Sequence, residues 1–258
     1  MPRLALAVPL LAAALQFAGI QPAAAGSLSQ EVTGNRLDLR LACATKVEIR
    51  PRADLAGKVE VTATSDTSGV LDALRFTSGD AATINYHGHC WLHDDRALEL
   101  SIEAPPGFAL DIDQEGAGDY DIGAMGGPLK LAISGAGEFR VEQISSLDLH
   151  VAGAAEIDVR RLEGPGKVFQ GGGGDITIGG GKMPKLHLDL NGASNVEIEG
   201  GEIGALDVAL NGAGNAEIHA PVGDANLRIA GIGRIQVDKV TGNVHRDVAG
   251  LGVIDIGD

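Results

Sequence analysis

Eight glycines set a beat that few folds can keep. Aligning the small turn that each one occupies gives Gly116, Gly135, Gly153, Gly172, Gly192, Gly212, Gly231 and Gly250, with intervals of 19, 18, 19, 20, 20, 19 and 19 residues. The surrounding pattern is apolar-x-apolar-x-Gly-x-small-x-apolar-x-apolar, as in LAISGAGEFRV and LDLNGASNVEI, and the stretch NGASNVEI at 191–198 returns as NGAGNAEI at 211–218. Of the 32 positions four and two before and four and six after the anchors, 29 are apolar, where 44% apolar content over 32 positions predicts about 14. The exceptions are Gln114, Gln170 and Arg246.

Alternation at period two argues for strands. Strands of four or five residues that recur every 19 or so cannot bury an apolar face alone, but stacked in parallel they can. The expected fold is therefore all-β, a parallel β-helix or β-solenoid with about 19 residues per rung and rungs ~4.8 Å apart. Equivalent residues then form internal columns such as Ile157, Ile176, Val196, Ala216, Ile235 and Ile254. A right-handed coil is expected, because parallel crossovers take that hand and the chain lacks the six-residue beat of left-handed hexapeptide solenoids.

Glycine suits a corner that needs unusual backbone angles or close backbone approach. Pro128, Pro165 and Pro184 each fall twelve residues after an anchor, where a second corner is expected and no ladder N–H is needed. Ile144, Leu162, Ile203 and Val240 lie between and point to a third, shorter side.

The other segments read differently. Residues 1–25 carry a basic start at Arg3, an apolar run from Leu4 to Ile20 and the small residues Ala23-Ala24-Ala25, which is the pattern of a secretory signal peptide. Residues 26–108 hold only seven of the 38 glycines and longer strand patterns such as LDLRLACATKVEIRP and ALELSIEAPPG. They are expected to form a β-rich capping region continuous with the solenoid of residues 109–258. No later apolar stretch is long enough to span a bilayer as a helix.

Charge narrows the partners. The formal net charge is -15, and removing Arg3 with the signal segment, which holds no acid, takes it to -16. Such a chain repels phosphate backbones, so nucleic acid is excluded as a partner. The two cysteines, Cys43 and Cys90, form an even pair in an exported chain, and a disulfide between them is expected, with two free thiols as the alternative.

The signal segment, the β-rich lead-in ending at Pro105-Pro106-Gly107, and the turns SGAGEFRV, NGASNVEI and NGAGNAEI together resemble the head GIN domain family of auto-transporter adhesins over roughly residues 37–256. The resemblance implies a parallel β-helix, a role in adhesion at the cell surface, a bacterial source and no established catalytic residues. An auto-transporter also needs a C-terminal barrel, and the chain stops at IDIGD without one, so the periplasm is the default expectation and the cell surface the alternative.

Local clusters were weighed for chemistry. YHGHCWLHDD at 86–95 gathers His87, His89, His93, Asp94 and Asp95 around Cys90 and Trp91, a composition compatible with a metal but equally with a polar loop beside a buried tryptophan. Outward rows five past the anchors (Asp121, Arg140, Asp158, Thr177, Glu197, Glu217, Gln236, Asp255) and three past them (Asp119, Glu138, Glu156, Asp175, Asn195, Asn215, Arg234) stack carboxylates that calcium or ordinary solvation can relieve. GGGGDITIGGG at 171–181 lacks the nine-residue period of calcium-binding repeats.

Catalysis has little support. Intervals of 18 to 20 leave no room for groove-building loops, and no nucleophile elbow, phosphate loop or zinc-protease helix occurs. Aromatic stacking on sugars has only Tyr120, Phe139 and Phe169 to draw on in the solenoid. The expectation is a non-enzymatic, adhesin-like binding protein of the cell envelope without catalytic residues, cofactor or metal site, and with an unknown envelope or cell-surface ligand. The alternatives are a structural envelope protein that forms homo-oligomers through an open C-terminal rung at Ile254 and Ile256, or a polysaccharide-active β-helix enzyme.

Overall fold

The computed structural model of the chain describes residues 26–42, 44, 46–67, 69–86 and 98–257. Two single 3-10 turns aside, the regular structure of these residues is strand, in 22 segments. They wind into two long parallel sides that meet at the anchor glycines.

The side before the glycine stacks Ala82–Tyr86, Arg36–Leu41, Ala109–Gln114, Pro128–Ile133, Ser146–Val151, Gly166–Gln170, Lys182–Leu190, Glu202–Leu210, the end of Ala213–Ile229 and Val244–Val248. The side after it stacks Leu98–Ala104, Lys46–Pro51, Asp119–Ala124, Ala136–Gln143, Ala154–Val159, Gly173–Ile178, Ala193–Ile198, the start of Ala213–Ile229, Ile232–Val240 and Leu251–Ile256. These are the first and second sides of a β-solenoid. Eight rungs carry the glycine repeat, and two further rungs come from the lead-in.

Register agrees with the repeat alignment residue by residue. Ile157 pairs with Ile176, then Val196, Ala216, Ile235 and Ile254 in one column. The third side is also present: Ile144 bridges Leu162, and Met183, Ile203, Val222 and Val240 follow in register. All but Val240 of this column are buried. Each Leu, Ile or Val side chain so enclosed contributes roughly 1.5 to 3 kcal/mol, and the columns join into one continuous core.

The anchor glycines answer to contact rather than to backbone angle. None of the eight lies in the left-handed region. Instead, a Cβ at Gly135, Gly153, Gly172, Gly192, Gly212, Gly231 or Gly250 would sit 1.7 to 2.0 Å from the carbonyl oxygen of the anchor one rung before. That same oxygen accepts the next rung's N–H: Ala193 donates to Gly172 at 3.0 Å and Ala213 to Gly192 at 3.0 Å. A side chain at the anchor would therefore break the corner ladder that holds consecutive rungs together.

The repeated asparagines form ladders of their own. Asn211 Nδ2 donates to Asn191 Oδ1 at 2.9 Å, and Asn191 Nδ2 donates to Asp189 Oδ1 at 2.9 Å. Four residues on, Asn215 donates to Asn195 at 3.3 Å and Asn195 to Asp175 at 2.9 Å. The middle amides, Asn191 and Asn195, both donate and accept, and an aspartate that can only accept terminates each row. NGASN and NGAGN are near-copies because both asparagines stack on their counterparts.

The three breaks in the apolar pattern have separate explanations. Gln114 is buried and its Oε1 accepts the Tyr120 hydroxyl, while Gln170 is buried and donates to the Gly174 carbonyl at 3.2 Å. Arg246 follows Leu227 in register on Val244–Val248, a strand that is exposed throughout.

The lead-in does not follow chain order. Arg36–Pro51 lies between the rung of 82–104 and that of 109–124. Lys58–Ser65 then runs antiparallel to Leu98–Ala104, Gly26–Thr33 antiparallel to Lys58–Ser65, and Leu74–Thr77 antiparallel to Ala82–Tyr86. These strands cover both edges of the first rung, which would otherwise offer unpaired backbone groups. Cys43 and Cys90, with the pairing expected of them, lie outside the described residues.

Candidate ligand-binding surfaces

With side-chain direction alternating along every strand, each rung presents three outward residues on each long side. The paired backbone fixes their spacing, so the surface is a set of rows.

On the second side the rows are acidic. Glu156, Asp158, Asp175, Glu197 and Glu217 face out from consecutive rungs, as the sequence spacing anticipated. A shallow recess of about 420 Å³ lies among Glu156, Asp175, Thr177, Asn195, Glu197, Asn215 and Glu217. Among the described residues no group of three or more His, Cys, Asp or Glu side chains converges closely enough to hold a metal ion. The carboxylates of this side find other partners: Asp121 takes Arg50 at 2.8 Å, Glu142 takes Arg160 at 2.8 Å and Asp255 takes Arg234 at 2.5 Å. The Arg50 hydrogen bonds hold the Asp121 carboxyl below the usual range. His219 Nδ1 meets Asp238 at 3.1 Å with Glu197 at 3.9 Å from Nε2, and the hydrogen bond to Asp238 raises its pKa.

The first side is mixed in sign. Its middle outward row reads Asp111, Lys130, Asp148, Lys167, His187, Asp207, Asn226 and His245 in register. Between this row and the second corner runs a groove in two segments. One, of about 560 Å³, is lined by residues including Asp148, Pro165, Gly166, Lys167, Lys185, His187 and Asp207. The other, of about 410 Å³, shares Lys185 and Asp207 and continues past Ala205, Ala225 and Asn226 to His245. Pro165 and Ala205 are short on this face and leave room that longer side chains would fill, while Gly166 and Ala225 face the core. His187 Nδ1 lies 3.2 Å from Asp207, Asn226 Nδ2 donates to Asp207 at 2.9 Å, and His150 Nε2 lies 3.2 Å from Asp148.

Two lysines of the groove differ from most of the protein's cations. Lys46, Lys58 and Lys130 are paired with Glu48, Glu31 and Asp111. Lys167 and Lys185 have no carboxylate within ion-pairing distance among the described residues. Phe169 follows Lys167 on the same outward face, is 38% exposed and packs against the His150 ring at 5.7 Å between centroids. Tyr120 and Phe139, the other aromatics of the repeat region, are buried and stack on each other at 4.7 Å.

Sequence reasoning foresaw the acidic rows and passed over the groove. Its signal stands five residues before each anchor, where Asp and Lys alternate and then give way to His and Asn. The cluster of His87, His89, His93, Asp94 and Asp95 lies outside the described residues. No helix among the described residues is long and apolar enough to cross a membrane.

Residues 128–257, just over half of the chain, match the family model described as "Putative auto-transporter adhesin, head GIN domain". The chain matches none of the curated proteins. Among solved structures, a "putative adhesin" from Bacteroides fragilis is similar at 12% identity and a TM-score of 0.54, covering 92% of this chain and 100% of that one. A "putative lipid binding protein" from Parabacteroides distasonis is similar at 10% identity and 0.58, covering 91% and 97%. A "putative adhesin" from the same species gives 11% identity and 0.50, covering 90% and 97%. At these identities the likeness is one of fold.

Proposed function

Because the chain belongs to the head GIN domain family, we propose that it is an exported, non-enzymatic binding protein of the cell envelope that holds its ligand on the outer rows of a rigid rod. The observation that carries this reading is the fixed register of the two long sides. Backbone donors and acceptors there are spent on rung-to-rung pairing, so recognition falls to side chains held at constant spacing. A surface preorganised in this way loses little entropy on binding. The family's described role and the signal-like residues 1–25 both support export and adhesion.

The test is accessibility of the native protein to antibody or protease on intact cells, against a lysed control. Signal on intact cells supports adhesion, whereas protection until lysis removes it and leaves a periplasmic binding role.

A second reading, self-association of two copies end to end, has its own observation. Leu251 is 78% exposed on Leu251–Ile256, and Val244 and Val248 are exposed beside it. Inward-pointing Arg246 on the same rung opposes edge pairing. Sedimentation at micromolar concentration decides the matter: a dimer abolished by Ile254→Lys supports this reading, and a monomer removes it.

A further inference from the structure

The groove on the first side offers a specific chemistry. Its rung pairing leaves no main-chain edge for an added peptide strand, so a ligand there must be recognised by side chains alone. Those side chains are mixed: ammonium donors at Lys167 and Lys185, carboxylate acceptors at Asp148 and Asp207, an amide at Asn226 and imidazoles at His187 and His245. A ligand that satisfies such a row presents hydroxyls that both donate and accept, with anionic groups set apart from one another.

The lysines decide the sign. Lys185 stands two residues before His187 on one rung, and Lys167 is the register neighbour of His187 on the rung before. Asp148, the register neighbour of Lys167, places its Oδ1 3.2 Å from His150 Nε2 and outside ion-pairing distance of the lysine. Two unpaired ammonium groups on one patch of a chain with net charge -15 are an unmet demand for an anion. A polysulfated chain or a nucleic-acid duplex, with several anionic groups per repeat, would be repelled by the rest of the surface, so the anion has to carry no more than one carboxylate per sugar unit.

Phe169 completes the set. It is the one aromatic side chain among the large exposed apolar residues of the described chain, and it stands two residues past Lys167 on the same outward face, across that lysine from the groove. An exposed ring is a platform for the flat C–H face of a sugar, in the same way that apolar faces pack on aromatic surfaces elsewhere.

We propose that this groove binds a carboxylate-bearing oligosaccharide laid along the rod, with Lys167 and Lys185 on uronate carboxylates, Asp207 and Asn226 on hydroxyls and Phe169 flanking a ring that reaches past Lys167 out of the groove. The proposal rests on the binding role given above and names its ligand class and site.

The test is calorimetric titration of the whole mature protein with short alginate fragments, beside neutral cello-oligosaccharides of matched length. Alginate fragments are expected to bind saturably and to weaken as salt rises. Lys167→Gln with Lys185→Gln should reduce affinity by about tenfold or more, the scale of a lost charged hydrogen bond. Phe169→Ala should reduce it several-fold, while Glu217→Gln on the opposite side should change nothing. All four positions are exposed or half-buried, so circular dichroism should report an unchanged fold.

Failure of alginate to bind, binding that ignores the lysine substitutions, or equal affinity for the neutral fragments would each overturn the proposal. A protein that adheres to intact cells yet ignores alginate removes the glycan site and leaves adhesion standing. One that binds alginate through the lysines but is protected until lysis removes surface adhesion and keeps the site.

Discussion

Gly192 lies so close above Gly172 that the Cβ it lacks would sit 1.7 Å from the Gly172 carbonyl oxygen. One residue earlier in the preceding rung, a Cβ at Gly171 would meet nothing nearer than Phe169 at 3.6 Å. Gly192→Ala should therefore destabilise the protein by about 3 kcal/mol or more, at the upper end of overpacking costs, and Gly171→Ala by less than about 0.5 kcal/mol. Chemical denaturation of the two variants checks this, and equal losses would show that the corner ladder does not carry the coil.

The buried Gln114 and Tyr120 should behave as a unit. The tyrosine hydroxyl donates to Gln114 Oε1, while Gln114 Nε2 has no partner. Burial pushes the Tyr120 phenol up, with Asp113 adding to it. Tyr120→Phe alone strands the amide oxygen and should cost about 1 to 3 kcal/mol, whereas Tyr120→Phe with Gln114→Leu should recover most of that loss. A double-mutant cycle in urea measures the coupling, and additive losses would dismiss it.

Acidity should favour the His219 contact. Its folded pKa is raised by Asp238 above the ordinary 6.5. The contribution is therefore fully present below pH 6.5, down to where the carboxylates titrate, and is lost as pH rises through the folded value. Thermal melts of the protein and of His219→Gln should differ at pH 5.5 and converge above pH 8. The difference should be small, because both side chains face water.

A disulfide between Cys43 and Cys90 remains an inference from composition, and the adjoining strands favour it. Leu41 and Tyr86 are register partners, Ala42 N donates to the Tyr86 carbonyl at 3.3 Å, and Lys46 pairs with Glu99. The strands that flank the two cysteines thus belong to two neighbouring rungs. Intact-mass measurement of the protein should show two hydrogen atoms fewer than the reduced chain, and reduction should lower stability by roughly 4 kcal/mol on the chain-entropy account. Two alkylatable thiols in the native protein would exclude the bond.

The solenoid was legible because its constraint is repeated: an apolar residue four past each anchor is a weak signal once and a column when it recurs through Ile157, Ile176 and Val196. The reason for glycine was less legible. Close approach and unusual angles predict the same residue, and only the position of the Gly172 carbonyl separates them. The asparagine ladders were visible as identity between copies, but their hydrogen bonds depend on a register that the spacing alone leaves open by a residue. The groove was hardest to foresee, since it arises where Pro165 and Ala205 are short and Lys167 is unpaired. No local motif marks such a coincidence of neighbours 20 residues apart.

From Ala109 onward each rung leans on the one made before it, so that part of the chain can be assembled in the order in which it is threaded out. The coil of Arg36–Pro51 obeys a different schedule. Its two flanks are supplied by residues 82–104 and 109–124, so it leaves the ribosome well before anything that can clasp it. Until then this early coil is a debtor to later sequence, and only when synthesis has passed residue 124 does the rod acquire its starting end.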